Sequence, residues 1–181
     1  MSSADPSAHD LAQQAMRAYR RGDLPAATQG FRAASEAFAR TGDELSAAEA
    51  ANNLCVALLQ DDRPQEALAC VQGTPAVFES HTDPARAAQA YGNLGNALED
   101  CGRMSEAGEA YQRSLDLFRS LGGREGEALI LQRISQLQLR QGQPIEALAA
   151  MQASLEAAPR GGLLRRWLGR LLTLPGRFFS G

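Results

Sequence analysis

Small and bulky apolar residues recur along the chain at a constant interval. Alanine stands at positions 27, 67, 107 and 147, and a bulky residue follows four positions later in each case: Phe31, Val71, Tyr111 and Met151. The turn-forming residues keep the same interval: Gly22, Asp62, Gly102 and Gly142. Self-similarity at a period of about 20–50 residues is typical of solenoids, in which units that cannot bury their apolar faces alone stack on their neighbours. The pattern therefore predicts four stacked repeats.

Each repeat is predicted to hold two helices, because Asp or Ser before Pro or an acid marks helix starts and Gly marks helix ends. The predicted pairs are 7–21 with 25–40, 44–60 with 64–80, 84–101 with 105–120, and 125–140 with 144–158. Asp83-Pro84 is the clearest start, since the carboxylate can cap the helix and Pro at the first position sacrifices no hydrogen bond. Pro75 lies inside a predicted helix, so that helix is expected to kink or break, either as a hinge or as a tolerated irregularity. Gly122-Gly123 predicts a joint before the fourth repeat.

The third repeat carries a recognisable signature. It reads Tyr91, Leu94-Gly95, Leu98, Ala107 and Tyr111, which resembles the tetratricopeptide repeat (TPR). Weaker copies occur in the other repeats at Leu11, Gln14-Ala15 and Ala18, at Ala51, Leu54-Cys55 and Leu58, and at Leu131, Ile134-Ser135 and Pro159. The period of 40 (67−27) exceeds the usual one of about 34 residues. Longer repeats of this kind resemble those of kinesin light chains and of bacterial peptide-sensing regulators.

The resemblance implies an all-α fold, a right-handed superhelical solenoid of four TPR helix hairpins followed by a C-terminal amphipathic helix. The expected organisation is a disordered N-terminus at 1–6, a solenoid at 7–159 and a basic amphipathic capping helix and tail at 160–181. The four units of the solenoid are expected at about 7–40, 44–80, 84–120 and 125–159.

Composition agrees with one helical domain, and the charged residues are distributed unevenly along the chain. Before residue 160 the chain has 21 acidic residues and 13 arginines, whereas residues 160–181 carry five arginines and no acid. The beginning lacks the basic and apolar regions of a secretory signal, and no stretch of about 18 apolar residues could span a membrane. We therefore expect a cytoplasmic protein, with peripheral attachment to the inner membrane face as an alternative.

Catalytic and metal-binding chemistry is not predicted. The two histidines, His9 and His81, are expected far apart in the solenoid and belong to no nucleophile, phosphate-binding or zinc motif. The three cysteines, Cys55, Cys70 and Cys101, lack metal-ligand spacing and are expected to be buried structural thiols. The sequence thus predicts a non-enzymatic protein without metal or cofactor.

Binding of a protein or peptide is the predicted function. In TPR proteins, which the chain resembles, the first helix of each pair lines a concave groove. The positions that tend to face a ligand there correspond to Met16, Tyr19, Arg20, Asn52, Asn53, Val56, Asn93, Asn96, Glu99, Asp100, Arg133, Gln136 and Arg140. Asn amides can pair with both the C=O and the N–H of an extended peptide. The competing interpretation is that these amides bridge adjacent helices of the protein itself.

The C-terminal segment is the second candidate for binding. At helical spacing, its leucines and Trp167 lie on one side, and Arg165, Arg166 and Arg170 lie on the other. Such a helix suits the end of a solenoid, which needs a cap with a polar outer face. It also suits a membrane surface, because interfacial helices combine Arg with Trp and Leu. Nucleic acid is not an expected partner, and the oligomeric state is not predicted.

Overall fold

The computed structural model describes residues 6–158, and the regular structure in this range is α-helical. In chain order the helices are α1 (Ala8–Arg20), α2 (Leu24–Arg40), α3 (Glu44–Gln60), α4 (Pro64–Val71), α5 (Thr74–Ser80), α6 (Pro84–Asp100), α7 (Met104–Ser120), α8 (Arg124–Arg140) and α9 (Pro144–Ala157). They form hairpin 1 (α1, α2), hairpin 2 (α3, α4, α5), hairpin 3 (α6, α7) and hairpin 4 (α8, α9). The predicted all-α repeat of helix hairpins is confirmed, with helix ends close to those expected.

The chain divides into two compact units, Met1–Gly122 and Gly123–Gly181. Within the described residues, the first unit contains hairpins 1, 2 and 3, and the second contains hairpin 4. The division falls between Gly122 and Gly123, where the sequence predicts a joint.

A left-handed residue lies in every turn between the long helices, at a regular spacing. These residues are Gly22, Gly42, Asp62, Thr82, Gly102, Gly122 and Gly142, with φ between 55° and 78°. In the first turn, the N–H of Asp23 donates to the carbonyl of Ala18 at 3.0 Å, across the left-handed Gly22. This arrangement satisfies carbonyls at the helix end, and it explains why most of these positions are glycine.

The predicted break in the second repeat is confirmed. α4 ends at Val71 and α5 begins at Thr74. Pro75 has no N–H to give to the Val71 carbonyl four positions earlier, and the Thr74 hydroxyl donates to that carbonyl instead, at 3.0 Å. The break therefore leaves this buried acceptor paired.

The core follows the pattern of the repeat. Ala27, Ala67, Ala107 and Ala147 are all buried. Phe31 packs among Leu54, Cys55 and Leu58 of the next hairpin, in a cluster that also contains Val71. Small residues here permit close approach of the helices, and bulky residues fill the spaces between hairpins.

Candidate functional site

The predicted groove residues of hairpins 1 to 3 lie on α1, α3 and α6, the first helices of their hairpins. Two hydrogen bonds join these helices side by side. The Gln60 amide donates to the Tyr19 hydroxyl at 2.6 Å, and the Asn93 amide donates to Asn52 Oδ1 at 3.0 Å. These bonds place Tyr19, Gln60, Asn52 and Asn93 on adjoining first helices. We use the name amide surface for five side-chain amides of α3 and α6: Asn52, Asn53, Gln60, Asn93 and Asn96.

Asn52 and Asn93 form a hydrogen-bonded pair between α3 and α6, and both side chains are half-buried. An Asn side chain offers two N–H donors and a carbonyl that can accept two bonds. The bond observed uses one donor of Asn93 and one acceptor site of Asn52. The pair consequently bridges two helices, and it keeps donor groups on Asn52 and the carbonyl of Asn93 beside each other.

Asn96 and Glu99 are held by the second helix of their own hairpin. The Tyr111 hydroxyl lies 2.8 Å from Asn96 Oδ1 and 2.8 Å from Glu99 Oε2. Because a hydroxyl has one proton, it donates to one of these oxygens at a time. Glu99 is only 7% exposed. These two residues therefore help to fix α6 on α7, and Glu99 presents little surface to a partner.

Asn53 differs from the other amides, since the part of the chain that the structure describes gives its side chain no hydrogen-bond partner. It lines a pocket of about 140 Å³. The pocket has His9 and Ala12 of α1 on one side, Phe38 of α2 and Glu49 of α3. The His9 and Phe38 rings meet edge to face with centroids 4.9 Å apart. This pocket thus combines an aromatic wall with an amide, an imidazole and a carboxylate.

The remaining predicted residues of the first unit provide apolar and charged edges to this surface. Met16 and Tyr19 are half-buried and pack against the core cluster, and Val56 is half-buried on α3. Arg20 and Asp100 are exposed at the ends of α1 and α6.

In the second unit, α8 carries Arg133, Gln136 and Arg140, all exposed. Hairpin 4 also exposes a set of large apolar side chains: Leu129, Leu139, Ile145, Leu148 and Met151. The predicted tail contacts Arg165, Arg166, Trp167 and Arg170 lie outside the described residues.

One set of contacts between α3 and α6, that of Arg86, was not predicted. Arg86 on α6 pairs with Glu49 on α3 at 3.1 Å and with Asp83 at 2.6 Å, and its guanidinium lies 5.6 Å from the centre of the Phe78 ring. The only signal in the sequence was the position of Glu49, which the repeat places on the ligand-facing side of its helix.

Other chemistries find no support among residues 6–158. No cluster of His, Cys, Asp or Glu there could hold a metal ion. His9 lies in the first turn of α1, and His81 follows the end of α5. No helix within the same range is long and apolar enough to cross a bilayer.

Residues 86–160 match the tetratricopeptide repeat family. Together with the four hairpins that recur at a constant interval, this match supports a tetratricopeptide-repeat protein, as the third repeat suggested. Proteins built from these repeats generally mediate protein–protein interactions and are typically non-catalytic scaffolds.

Solved structures with the same fold include BtubC (BKLC) from P. vanneervenii, with a TM-score of 0.75 and 18% identity, covering 100% of this chain and 72% of that one. MamA has a TM-score of 0.62 and 20% identity, with 84% of this chain and 78% of that chain covered. The MamA RS-1 ArsTM double mutant has a TM-score of 0.66 and 19% identity, with 85% and 76% covered. At these identities the similarity establishes the fold alone. No curated protein matches the chain in sequence.

Proposed function

We propose that this protein is a non-catalytic adaptor that binds an extended peptide or protein segment along α1, α3 and α6. The observation that carries the proposal is the row of side-chain amides on neighbouring first helices, some of whose donors and acceptors are not used within the part of the chain that the structure describes. An extended segment presents a C=O and an N–H alternately, and side-chain amides are suited to both.

The Asn52–Asn93 pair gives this binding a definite geometry. Because the Asn93 amide donates to Asn52 Oδ1, both side chains are held in position before a partner arrives. The remaining N–H groups of Asn52 can donate to a peptide carbonyl, and Asn93 Oδ1 can accept from a peptide N–H. Groups that are already positioned lose less side-chain entropy on binding.

The pocket beside Asn53 is proposed to accept one side chain of the partner. Its aromatic wall at Phe38 and its carboxylate at Glu49 favour an apolar side chain with a basic or hydrogen-bonding end. The charged side chains Arg20 and Asp100 are proposed to select charges on the flanking residues. On the second unit, Arg133 and Arg140 would donate hydrogen bonds to a carboxylate of the partner, with Gln136 as a further amide.

Selection from a random peptide display library tests this proposal. Peptides recovered on the wild-type protein would be titrated against Asn53→Ala and against Gln65→Ala, which removes an exposed amide from α4, the other side of hairpin 2. We expect Asn53→Ala to weaken binding by about tenfold, as for loss of a contact worth about 1.4 kcal/mol, and Gln65→Ala to leave it unchanged. Equal affinity of both variants and the wild type, with the helical circular dichroism retained, contradicts a role for the amide surface.

The apolar side of hairpin 4 raises two possible roles for residues 160–181: a cap on the last hairpin, or the anchor of a membrane-associated adaptor, which is the second candidate function. Ile145, Leu148 and Met151 are 80%, 67% and 50% exposed. We propose that residues 160–181 cover this side as a cap, and that the arginines of this segment face outward. The alternative is that the same segment docks on an anionic membrane.

Vesicle flotation separates these two roles. Full-length protein would be mixed with phosphatidylserine-containing vesicles and with neutral vesicles, alongside a chain that ends at residue 158. The cap proposal predicts that the full-length protein stays with the unbound fraction and that the shortened chain is less stable to urea. Flotation of the full-length protein with anionic vesicles alone, lost in the shortened chain, supports the membrane role instead.

A further inference from the structure

The two helices of hairpin 1 come very close at one pair of repeat positions, and the other hairpins have small residues at the equivalent positions. The pairs are Ala15 with Gly30, Cys55 with Cys70, Gly95 with Ala110, and Ser135 with Ala150. In hairpin 1, a Cβ placed on Gly30 would lie only 2.8 Å from the Cβ of Ala15. Small residues occupy these positions because the two backbones leave little room between them.

Hairpin 2 has a cysteine on both sides of this crossing. A disulfide spans a Cβ–Cβ distance of about 3.5–4.5 Å. The spacing in hairpin 1 is slightly below that range, and two real Cβ atoms must separate to van der Waals contact, which brings them into it. From this position in the repeat we expect the Cβ atoms of Cys55 and Cys70 to lie at a distance that a disulfide can span. The contact of Cys70 Sγ with the carbonyl of Ala51, one turn before Cys55 on α3, at 3.7 Å agrees with this expectation.

The surroundings of the two thiols are unequal. Cys55 is fully buried, and its Sγ lies 3.9 Å from the carbonyl of Asn93 on α6. Cys70 is half-buried on α4, and its Sγ lies 3.1 Å from the carbonyl of Ala67 and 3.7 Å from that of Ala51 on α3. A small oxidant from solvent can therefore reach Cys70, whereas Cys55 is sheltered behind it.

The two thiols also differ in pKa. A hydrogen bond from the Cys55 thiol stabilises the thiolate of Cys70 and lowers the pKa of Cys70 below its ordinary value. That same interaction, reinforced by burial, raises the pKa of Cys55 well above its ordinary value. The thiolate is the reactive form of cysteine, so Cys70 is the better nucleophile of the two.

We propose that Cys55 and Cys70 form a reversible disulfide that crosslinks α3 to α4 when the protein meets a hydroperoxide. The Cys70 thiolate attacks a peroxide oxygen, the O–O bond breaks, and the leaving hydroxide or alkoxide takes up a proton; Cys70 becomes a sulfenic acid. The Cys55 sulfur then attacks the Cys70 sulfur, the S–O bond breaks, and water leaves with the Cys55 proton. Both sulfurs are oxidised and the peroxide is reduced.

The crosslink alters the packing beside the amide surface. Cys55 loses its S–H, which in the reduced protein can donate either to Cys70 or to the Asn93 carbonyl 3.9 Å away, and α3, which carries Asn52 and Asn53, becomes tied to α4. The inference does not depend on the proposed binding function, because the disulfide is a property of the core of hairpin 2.

Mass spectrometry of the full-length protein tests this inference directly. Trypsin does not cut efficiently between Arg63 and Pro64, so residues 41–86 form one peptide that holds Cys55 and Cys70, and Cys101 lies in residues 87–103. The protein would be treated with hydrogen peroxide, unfolded, and its remaining thiols blocked with N-ethylmaleimide. We expect residues 41–86 to lose two hydrogens and take up no maleimide, and dithiothreitol to restore two reactive thiols.

Three variants complete the experiment. Cys101→Ser should form the same crosslink as the wild type. Cys55→Ser should leave a sulfenic acid on Cys70 that dimedone traps, and Cys70→Ser should leave Cys55 reduced. The proposal is overturned if maleimide labels both Cys55 and Cys70 of the peroxide-treated wild-type protein, or if crosslinks involve Cys101 or a second chain. Both outcomes are read from the wild-type protein, so no variant has to fold.

Discussion

Hairpins 3 and 4 carry the same repeat with different surroundings. Tyr111 in α7 and Met151 in α9 occupy the same repeat position, yet Tyr111 is fully buried and Met151 is 50% exposed. Both hairpins have a buried alanine four positions earlier, Ala107 and Ala147, and both have a serine hydroxyl bonded to a carbonyl of the first helix, from Ser114 to Ala88 and from Ser154 to Ala128, each at 2.7 Å.

The comparison separates contacts that form within one hairpin from burial that depends on a neighbouring element. The alanine and serine contacts join the two helices of one hairpin, so they recur in both. Burial of the bulky residue is different: Phe31 is covered by residues of the following hairpin. In hairpin 4 the following residues are those from 159 onward, which is why the apolar side of α9 suggests a cap.

Replacing Tyr111 with alanine should have the largest effect. The change removes a fully buried ring that contacts Gly95, and it takes the hydroxyl away from Asn96 and Glu99. We expect a loss of about 3–5 kcal/mol in the free energy of unfolding, measured by urea denaturation followed by circular dichroism. Tyr111→Phe serves as the control for the ring, and it should cost about 1 kcal/mol because only the hydrogen bond of the hydroxyl is lost.

Met151→Ala is the matching change in hairpin 4. If residues 160–181 cover α9, the substitution should cost about 2 kcal/mol in the full-length chain, near the lower limit for a buried methionine. In a chain that ends at residue 158, the cost should fall below about 1 kcal/mol, since the side chain is then half exposed and loses less transfer free energy. The same cost in both chains contradicts the cap.

The turns that precede the two hairpins also differ. Both use a left-handed residue, but it is Thr82 before hairpin 3 and Gly122 before hairpin 4, with φ of 57° and 66°. A β-branched residue is strained in this conformation. Thr82→Gly should therefore raise the free energy of unfolding by about 0.5–1 kcal/mol, partly offset by the extra freedom of glycine in the unfolded chain. Gly122→Thr, where a new Cβ meets nothing within 4 Å, should lower it, by backbone strain alone.

Asn93 of hairpin 3 pairs with Asn52 of hairpin 2, whereas α8 of hairpin 4 has Arg133 at the position equivalent to Asn93. A double-mutant cycle with Asn52→Ala and Asn93→Ala should give a coupling energy of about 0.5–1 kcal/mol, as for one half-buried hydrogen bond. Strictly additive losses of stability would show that the two amides act independently.

Lowering the pH should destabilise the start of α6 in hairpin 3 more than the start of α8 in hairpin 4. Asp83 caps α6, and the backbone N–H and the guanidinium of Arg86 lower the pKa of its carboxyl. α8 has Gly123 at the equivalent place, with no side-chain cap. The cap of α6 contributes stability above the unfolded pKa of about 3.9, and this contribution is lost as the pH falls through the lower, folded value. Amide exchange at the start of α6 should accelerate there in the wild type and much less in Asp83→Asn.

The sequence was sufficient for features that arise within one hairpin. Asp83-Pro84 predicted a helix start and Pro75 a break, because caps and missing N–H groups act locally. The pairing of Asn52 with Asn93 was one of two open interpretations, since it depends on the distance between helices from different repeats. The exposure of Met151 could not be predicted for the same reason: its repeat position predicts burial, yet the burial of Phe31 at the equivalent position depends on residues of another hairpin. The proximity of Cys55 and Cys70 emerged only when the crossing at Ala15 and Gly30 was known.

Site-specific photo-crosslinking tests the central claim, that the amide surface binds a peptide segment, most directly. A photoreactive phenylalanine would replace Gln89, which is exposed on α6 one turn before Asn93, and in a second protein Gln65 on α4. Each would be irradiated with a peptide selected on the wild-type protein. The account predicts a crosslink from position 89 that excess unlabelled peptide abolishes, and none from position 65. A crosslink from position 65 alone, with position 89 silent and both proteins folded, would contradict it.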